Sequence, residues 1–331
     1  MNRTTFYLGI AILVLSTLYW AVSCSDKERT STASSASQPA APMPRLGSKG
    51  DGPSYDKSSD IILQNMIDSV APKFVLHEFH DIVSGNKIAY NLLSPAATPG
   101  KKYPLILFMA DASTPGLAPS YTLTQGYGAL VWGTDAWQRI HPCYVLVPQF
   151  SGVAVNDAFK HTAEVDAVIR LLDTIANEYA VDTDRIYTTG QSMGGMISMY
   201  YNVTYPNVFA ASLLVDCHWD PALFPELAHH KIAYIVAGGN PKSTGGAKAL
   251  MECAEQEGIK YEYTEFSARL PLHEQDSITG ELLKANAPLN VICFKTGTVL
   301  PPGDKGNEHM HSFDAAYSLT PIREWLFSQH K

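Results

Sequence analysis

The sequence predicts an α/β domain with a mostly parallel central sheet that is covered by helices on both faces. From Ile61 onward, short apolar runs alternate with helical patterns, which is the order expected of a parallel sheet. Residues 105–109 and 144–147 are apolar without interruption, as is typical of strands that are buried on both faces. A Gly-x-Ser-x-Gly turn at residues 190–194 joins a strand pattern to a helix pattern.

The remaining elements follow from local pattern, taken in chain order. Residues 74–79 and 87–93 predict two starting strands that pair antiparallel, and Pro148 is expected to end the strand at 144–147. Between residues 157 and 179, apolar residues recur on one face with a 3.6-residue period, which predicts a helix. The later predicted elements are strands at 185–189, 209–215, 232–237, 259–266 and 289–295, and helices at 196–201, 246–256 and 321–327. The chain has no internal repeats, so one domain is expected over residues 60–331.

The N-terminal residues predict export rather than a part of the fold. Residues 1–24 combine a basic Arg3, a short apolar stretch and small residues before Cys24, which resembles a signal peptide ending in a bacterial lipobox. We expect lipidation of Cys24, with cleavage as a plain secretory peptide as the alternative. Residues 25–59 are rich in Ser, Ala, Pro and Gly and predict a disordered tether to the cell envelope.

Composition excludes several classes of function. The net charge is −8 and no Lys/Arg cluster occurs, so nucleic acid is not an expected partner. Cys143, Cys217, Cys253 and Cys293 lack zinc-site spacing, and neither a metal nor an organic cofactor is expected. The only membrane contact expected is through the lipid on Cys24.

The turn at Gly190–Gly195 has the pattern of a nucleophile elbow, which exposes a serine hydroxyl at the top of an α/β-hydrolase sheet. The candidate nucleophile is Ser192. A serine hydroxyl needs a base within hydrogen-bond reach, and in this fold the base follows the last strand. Position therefore favours His309 or His311, in a predicted loop before the terminal helix.

Two longer segments resemble a known family. Residues 184–195 are similar to the elbow of the secreted esterase and polyhydroxybutyrate-depolymerase-like α/β hydrolases. His311, with Phe313 two residues later and Ala-Tyr at 316–317, resembles that family's C-terminal histidine motif. The resemblance implies an α/β-hydrolase fold with His311 as the base and His309 as a neighbour in the loop.

The chain departs from that family at two positions. Family members carry His-Gly after the first buried parallel strand, where this sequence reads Ala110-Asp111-Ala112. The backbone N–H of Asp111 or Ala112, together with that of Met193, is the expected oxyanion hole.

The second departure concerns the acid of the triad. Asn240 stands after the strand at 232–237, where an aspartate is expected. Asp216 and Asp220 follow the preceding strand, and we favour Asp220 over Asp216, with Asn240 as a further alternative.

The leading hypothesis is an exported serine esterase that acts on a small or polymer-linked ester through an acyl-enzyme. The resemblance allows acetyl, feruloyl or short hydroxyalkanoate esters, with Trp132, Trp137 and Trp219 as candidate pocket residues. One alternative is a pseudohydrolase that binds ligand with an incomplete triad, because Asn240 replaces the expected acid. A serine peptidase, which uses the same residues, is the third possibility.

Overall fold

A nine-stranded sheet forms the centre of the protein in a computed structural model that describes residues 56–331. The strands are β1 (Val75–His80), β2 (Lys87–Leu93), β3 (Tyr103–Met109), β4 (Tyr144–Gln149), β5 (Val181–Gln191), β6 (Ala211–Val215), β7 (Ile232–Ala237), β8 (Tyr261–Phe266) and β9 (Leu289–Phe294). Their spatial order is β1-β2-β4-β3-β5-β6-β7-β9-β8. The pairs β1–β2 and β2–β4 are antiparallel and all the others are parallel. The predicted mostly parallel sheet with an antiparallel start is confirmed.

Helices cover both faces of this sheet. They are α1 (Ile61–Ser69), α2 (Tyr121–Thr124), α3 (Tyr127–Leu130), α4 (Asp135–Ile140), α5 (Ala163–Glu178), α6 (Met193–Thr204), α7 (Phe224–Leu227), α8 (Pro241–Gln256), α9 (Leu272–Leu283), α10 (Glu308–Ser318) and α11 (Thr320–Ser328). Strand β3 is buried along its whole length, and its side chains alternate between two apolar cores. One core includes residues of α5, α6 and α8, and the other includes residues of α1, α9, α10 and α11. The continuous apolar run of β3 is explained by this burial on both sides.

Two local predictions differ clearly from the structure. Strand β4 continues through Pro148 to Gln149, because its antiparallel pairing with β2 extends to Gln149 although its parallel pairing with β3 ends at Leu146. The helix predicted from residue 157 begins at Ala163, and residues 151–162 form a loop with an isolated bridge between Val155 and His161. Helix α9 was not predicted.

The segment around the two candidate histidines is a helix rather than the predicted loop. Helix α10 begins after Asn307, whose side-chain oxygen accepts the His309 N–H at 2.9 Å as an N-cap. Phe313, Ala316 and Tyr317 lie at helical spacing and are buried. The nearby glycines and prolines at 301–306, which suggested a loop, all precede the helix.

The described region begins within the predicted tether. The predicted signal peptide, Cys24 and residues 25–55 of the predicted tether lie outside the described residues. Residues 56–59 are described, and the Lys57 ammonium pairs with the Asp314 carboxylate on α10 at 2.6 Å.

Among residues 56–331, no helix combines the length and the apolar character that a membrane crossing requires.

Candidate active site

Ser192 lies in a sharp turn between the end of β5 and the start of α6, as the sequence predicts. Its backbone has φ 51° and ψ −117°, a conformation that costs a non-glycine residue about 1–3 kcal/mol. Backbone hydrogen bonds hold it there: the Ser192 N–H donates to the Val215 carbonyl, and the Ser192 carbonyl accepts from Met196, both at 3.0 Å. The strained turn places the serine side chain at the carboxyl edge of the parallel strands, where ligand sites of α/β sheets lie.

The glycines of the elbow are required because backbone or buried side-chain atoms approach them closely. A Cβ atom at Gly194 would lie 2.5 Å from the Met109 carbonyl carbon, and closer still to its oxygen. A Cβ at Gly190 would lie 2.5 Å from the Gly194 carbonyl oxygen, and one at Gly195 would lie 2.5 Å from the Cys217 sulfur. Without side chains at these positions, the start of α6 can rest directly against the end of β3.

The histidine next to Ser192 is His309 and not His311, which the family resemblance favoured. The His309 Nε2 atom lies 2.8 Å from the Ser192 hydroxyl oxygen. Its ring also packs edge-on against Phe313, one turn further along α10. His311 is two residues away on the same helix and therefore points about 200° around the axis. Its Nε2 lies 3.8 Å from the Asp304 carboxylate instead.

The carboxylate that contacts His309 belongs to Asp216, one of the weighed alternatives, and not to the favoured Asp220. The Asp216 Oδ2 atom lies 2.6 Å from His309 Nδ1, and Oδ1 accepts the Ala237 N–H at 2.9 Å. Asp216 directly follows the last residue of β6, is fully buried, and has φ 40°. Asp220 lies further along the loop, where its carboxylate accepts the Ala222 N–H at 2.9 Å and caps the short 3₁₀ turn Pro221–Leu223.

Asn240 supports Asp216 and does not take its place. It follows β7, where the sequence led us to expect the acid, and its amide nitrogen donates to Asp216 Oδ2 at 2.8 Å and to Ser243 Oγ at 2.9 Å. These two bonds use both amide hydrogens. The same nitrogen lies 3.1 Å from His309 Nδ1, but that ring nitrogen donates its own hydrogen to Asp216. Asn240 is therefore a third donor to the carboxylate, after His309 and Ala237.

The expected oxyanion donors lie on the two segments that meet at the elbow. Met193 is the first residue of α6, so its N–H has no acceptor within the helix. Asp111 follows β3, and both of its carboxylate oxygens are occupied: Oδ2 accepts from Gln191 Nε2 and Oδ1 from the Ser113 N–H, each at 2.8 Å. This carboxylate is held in a buried network, while Ala112 next to it is exposed.

A cleft of about 310 Å³ opens over Ser192 and His309. Its lining residues are Asp157, Ser192, Met196, Asp216, Cys217, His218, Asn240, Lys242, Ser243, Asn307 and His309. At the rim, the Lys242 ammonium pairs with Asp157 at 2.6 Å. Desolvation by burial lowers the pKa of His218 on the same side.

The tryptophans that sequence suggested for the pocket do not line this cleft. Trp132 is fully buried in the core, next to Trp137 and Phe327. Trp219 is also buried, and it contacts Phe159 of the 151–162 loop edge-on. The expectation of an aromatic pocket built from these indoles is not supported by their positions.

The family comparison matches the part of the chain that contains the elbow. Residues 166–231 match the family described as "Putative esterase"; this range includes Ser192 and Asp216 but ends before His309. Over 48 residues the chain is 38% identical to acetylxylan esterase A of Emericella nidulans, which is 14% of this chain and 16% of that protein.

Solved structures show the same fold over most of the described region. A thermostable esterase superposes with a TM-score of 0.64 and 23% identity, covering 79% of this chain and 64% of its own. A Bacteroides ovatus structure described as a "putative dipeptidyl aminopeptidase IV" has a TM-score of 0.51 and 14% identity, covering 77% of this chain and 36% of its own. The chain spans less than two thirds of the length of each of these relatives. It is an α/β-hydrolase-fold protein whose segment 166–231 matches an esterase family.

Proposed function

We propose that this protein is a serine hydrolase of carboxylic esters that acts through an acyl-enzyme on Ser192. The observation that carries the proposal is a continuous hydrogen-bonded chain from the Ser192 hydroxyl through His309 to Asp216, with distances of 2.8 and 2.6 Å. A nucleophile, a base and a group that orients the base are the three parts that acyl transfer to serine requires.

In the proposed reaction, the Ser192 oxygen attacks the ester carbonyl while His309 Nε2 takes the hydroxyl proton. The imidazolium is stabilised by Asp216, which also fixes the tautomer that leaves Nε2 free to accept. When the tetrahedral intermediate collapses, His309 returns the proton to the departing alcohol oxygen. Water, activated by the same nitrogen, then attacks the acyl-enzyme and releases the acid. No step calls on a metal or an organic cofactor.

The oxyanion of the tetrahedral intermediate is proposed to bind the Met193 N–H and an N–H from Asp111 or Ala112. The close approach of Gly194 to Met109 brings these two backbone segments together. The hydrogen bonds from Gln191 and Ser113 occupy the Asp111 carboxylate, so its charge is partly compensated. One donor of this kind contributes about 10²–10³-fold to turnover.

The alternative of a pseudohydrolase depended on Asn240 in the place of the acid. Asp216 supplies a buried carboxylate at hydrogen-bond distance from His309, and Asn240 donates to it. The main reason for an incomplete triad therefore no longer applies, and an active enzyme is the better-supported function.

For the substrate, we propose short acyl esters, with acetyl esters first. The local likeness to an acetylxylan esterase supports this choice. The polar rim formed by Asp157, Lys242 and Asn307 suits a hydroxyl-rich alcohol group. Hydrolysis of p-nitrophenyl acetate, methyl ferulate and a peptide p-nitroanilide by the same preparation separates the three classes. Cleavage of the anilide alone would replace the esterase proposal with a peptidase.

The nucleophile is tested by p-nitrophenyl acetate turnover and fluorophosphonate labelling of wild type and Ser192→Ala. Both activities are expected to be lost in the variant. Ser318→Ala is the matched control, because the Ser318 hydroxyl donates only to the Asp314 carbonyl within its own helix. Turnover by Ser192→Ala equal to that of wild type would remove Ser192 from the proposal.

The acid is tested by comparing Asp216→Asn with Asp220→Asn. The first change is expected to lower kcat by about 10⁴-fold, since an amide cannot stabilise the imidazolium. The second removes only a turn cap and is expected to leave kcat within about threefold of wild type. Similar losses in both variants would contradict the assignment of Asp216.

Export and lipid anchoring at Cys24 are a further proposal, supported by the order of basic, apolar and small residues before the cysteine. The test is membrane fractionation of cells that express wild type or Cys24→Ser. Wild type is expected in the membrane fraction and the variant in the soluble fraction. The same distribution for both would reject lipidation at this position.

A further inference from the structure

A buried carboxylate lies directly beside the proposed catalytic histidine in the chain. Glu308, the residue before His309, is only 8% exposed, although residues 301–307 before it are all exposed. Its Oε2 atom accepts the Gly239 N–H at 2.9 Å and its Oε1 atom accepts the Gly297 N–H at 2.6 Å. A carboxylate taken from water needs such donors, and here two backbone groups provide them.

The two donors belong to the turns that follow two neighbouring strands. Gly239 follows β7 and precedes Asn240, while Gly297 follows β9. A Cβ at Gly239 would lie 2.5 Å from Glu308 Oε2 and closer to the carboxyl carbon. Only a glycine at position 239 lets the carboxylate reach the backbone there. The contact therefore depends on the identity of both Glu308 and Gly239.

This contact restrains the first turn of α10, the turn that carries His309. The chain enters the helix from an exposed loop, and Glu308 is the first residue of the helix to be buried. The same Gly239 N–H is one residue from Asn240, whose amide donates to Asp216. The carboxylate therefore connects the backbone that carries the base to the turn that supports the acid.

We infer that Glu308 is a positioning residue that keeps the His309 side chain within hydrogen-bond distance of both Ser192 and Asp216. The inference rests on the proposed function. The Glu308 carboxylate is not among the groups that line the cleft, so it acts through His309 and not on the substrate. A displacement of about 1 Å in a reacting group can cost on the order of 10²-fold in rate.

The experiment compares Glu308→Gln and Glu308→Ala by steady-state hydrolysis of p-nitrophenyl acetate, well below the unfolding temperature of each variant. Glutamine keeps one acceptor oxygen and places an amide NH₂ against the other N–H, while alanine removes both acceptors. We expect kcat to fall by about 10-fold in the first and about 10²-fold in the second, with KM within about twofold of wild type. A kcat in Glu308→Ala within twofold of wild type would overturn the inference.

The control for lost stability alone is Asp81→Asn. The Asp81 carboxylate is also buried and also accepts backbone N–H groups, from Val83 and Ser84. It pairs with Arg170, and neither Asp81 nor Arg170 lines the cleft. This variant is expected to lower the Tm while leaving kcat unchanged. An equal loss of kcat in Asp81→Asn and Glu308→Ala would show that Glu308 acts only through stability and would overturn the inference.

A second measurement does not depend on turnover. The His309 Nδ1 proton, shared with Asp216, should give a far-downfield ¹H NMR resonance in wild type and in Asp81→Asn. We expect this resonance to be lost in Glu308→Ala. If wild type showed no hydrolysis and no labelling of Ser192, the proposed function would fail, whereas the resonance would still report whether Glu308 positions His309. A resonance that is the same in Glu308→Ala and wild type would overturn the inference.

Discussion

The closest backbone approach at the elbow gives a direct prediction for Gly194→Ala. The added Cβ would lie 2.5 Å from the Met109 carbonyl carbon, whereas ordinary van der Waals contact begins at 3.4 Å. The carbonyl oxygen is closer still, so the start of α6 and the end of β3 must separate by at least about 0.9 Å, and neither side is a flexible side chain that can rotate away. The displaced segments are the ones proposed to carry the oxyanion donors, which are Met193 and either Asp111 or Ala112.

Two consequences of this separation can be measured. Overpacking of this kind costs about 1–3 kcal/mol of unfolding free energy, and each kcal/mol lowers the Tm of a domain of this size by about 2–4 °C. Misplacement of the oxyanion donors by nearly 1 Å is expected to lower kcat for p-nitrophenyl acetate by about 10²-fold. Both quantities are obtained from thermal unfolding and from steady-state kinetics at a temperature where the variant is folded.

The matched control is Gly280→Ala on α9, where an added Cβ meets no atom within 4 Å. Removing a glycine from a helix interior is expected to stabilise the protein by about 0.5–1 kcal/mol and to leave kcat unchanged. A Gly194→Ala variant that retained kcat within threefold of wild type would refute the reasoning, because it would show that the two segments can separate without affecting the reaction.

Three further predictions follow from other contacts. His309→Ala should lower kcat by about 10⁴-fold or more in the ester assay, while His311→Ala should change kcat by less than about threefold; the reverse order would return the role of base to His311. Asn240 donates to the buried acid and also caps α8, where its side-chain oxygen accepts the Lys242 N–H. Asn240→Ala should therefore lower kcat by about 10-fold and the free energy of unfolding by about 1 kcal/mol, and an unchanged kcat would show that the donor to the acid is dispensable. The Arg170 guanidinium holds the pKa of Asp81 well below its usual range, so the pair stabilises the fold above about pH 4 and less as the pH falls below it. The Tm difference between wild type and Arg170→Met should therefore be constant from about pH 5 to 7 and shrink in acid; a difference that grew in acid would contradict this sign.

Much of the fold was predictable because buried strands and helices carry apolar residues at a characteristic spacing in the sequence. Strand β7 has the bounds that its apolar pattern predicts, since a strand that is buried on both faces must be apolar along its length. Helix α10 was not predicted, because its buried residues are few and the glycines and prolines before it dominate the local pattern.

The candidate site was predictable only at the elbow. There the serine and the glycines, whose missing Cβ atoms make the sharp turn possible, lie within six residues of one another. Asn240 occupies the position where the sequence leads us to expect the acid, but the sequence does not show that Asp216 lies beside it. No local signal marked Glu308, whose two donors follow strands β7 and β9.

The sequence by itself determined the sheet, the strained turn and the identity of Ser192, because each depends on residues that are close in the chain. Only the tertiary structure brings His309 and Asp216 into a hydrogen-bonded chain with Ser192. These residues lie 117 and 93 positions apart from their respective partners, Ser192 and His309. Two residues along a helix, or four along a loop, direct a side chain to a different neighbour, and hydrogen bonds form only within about 3 Å. Catalytic chemistry depends on that distance, and the distance is set by how the strands and α10 pack together.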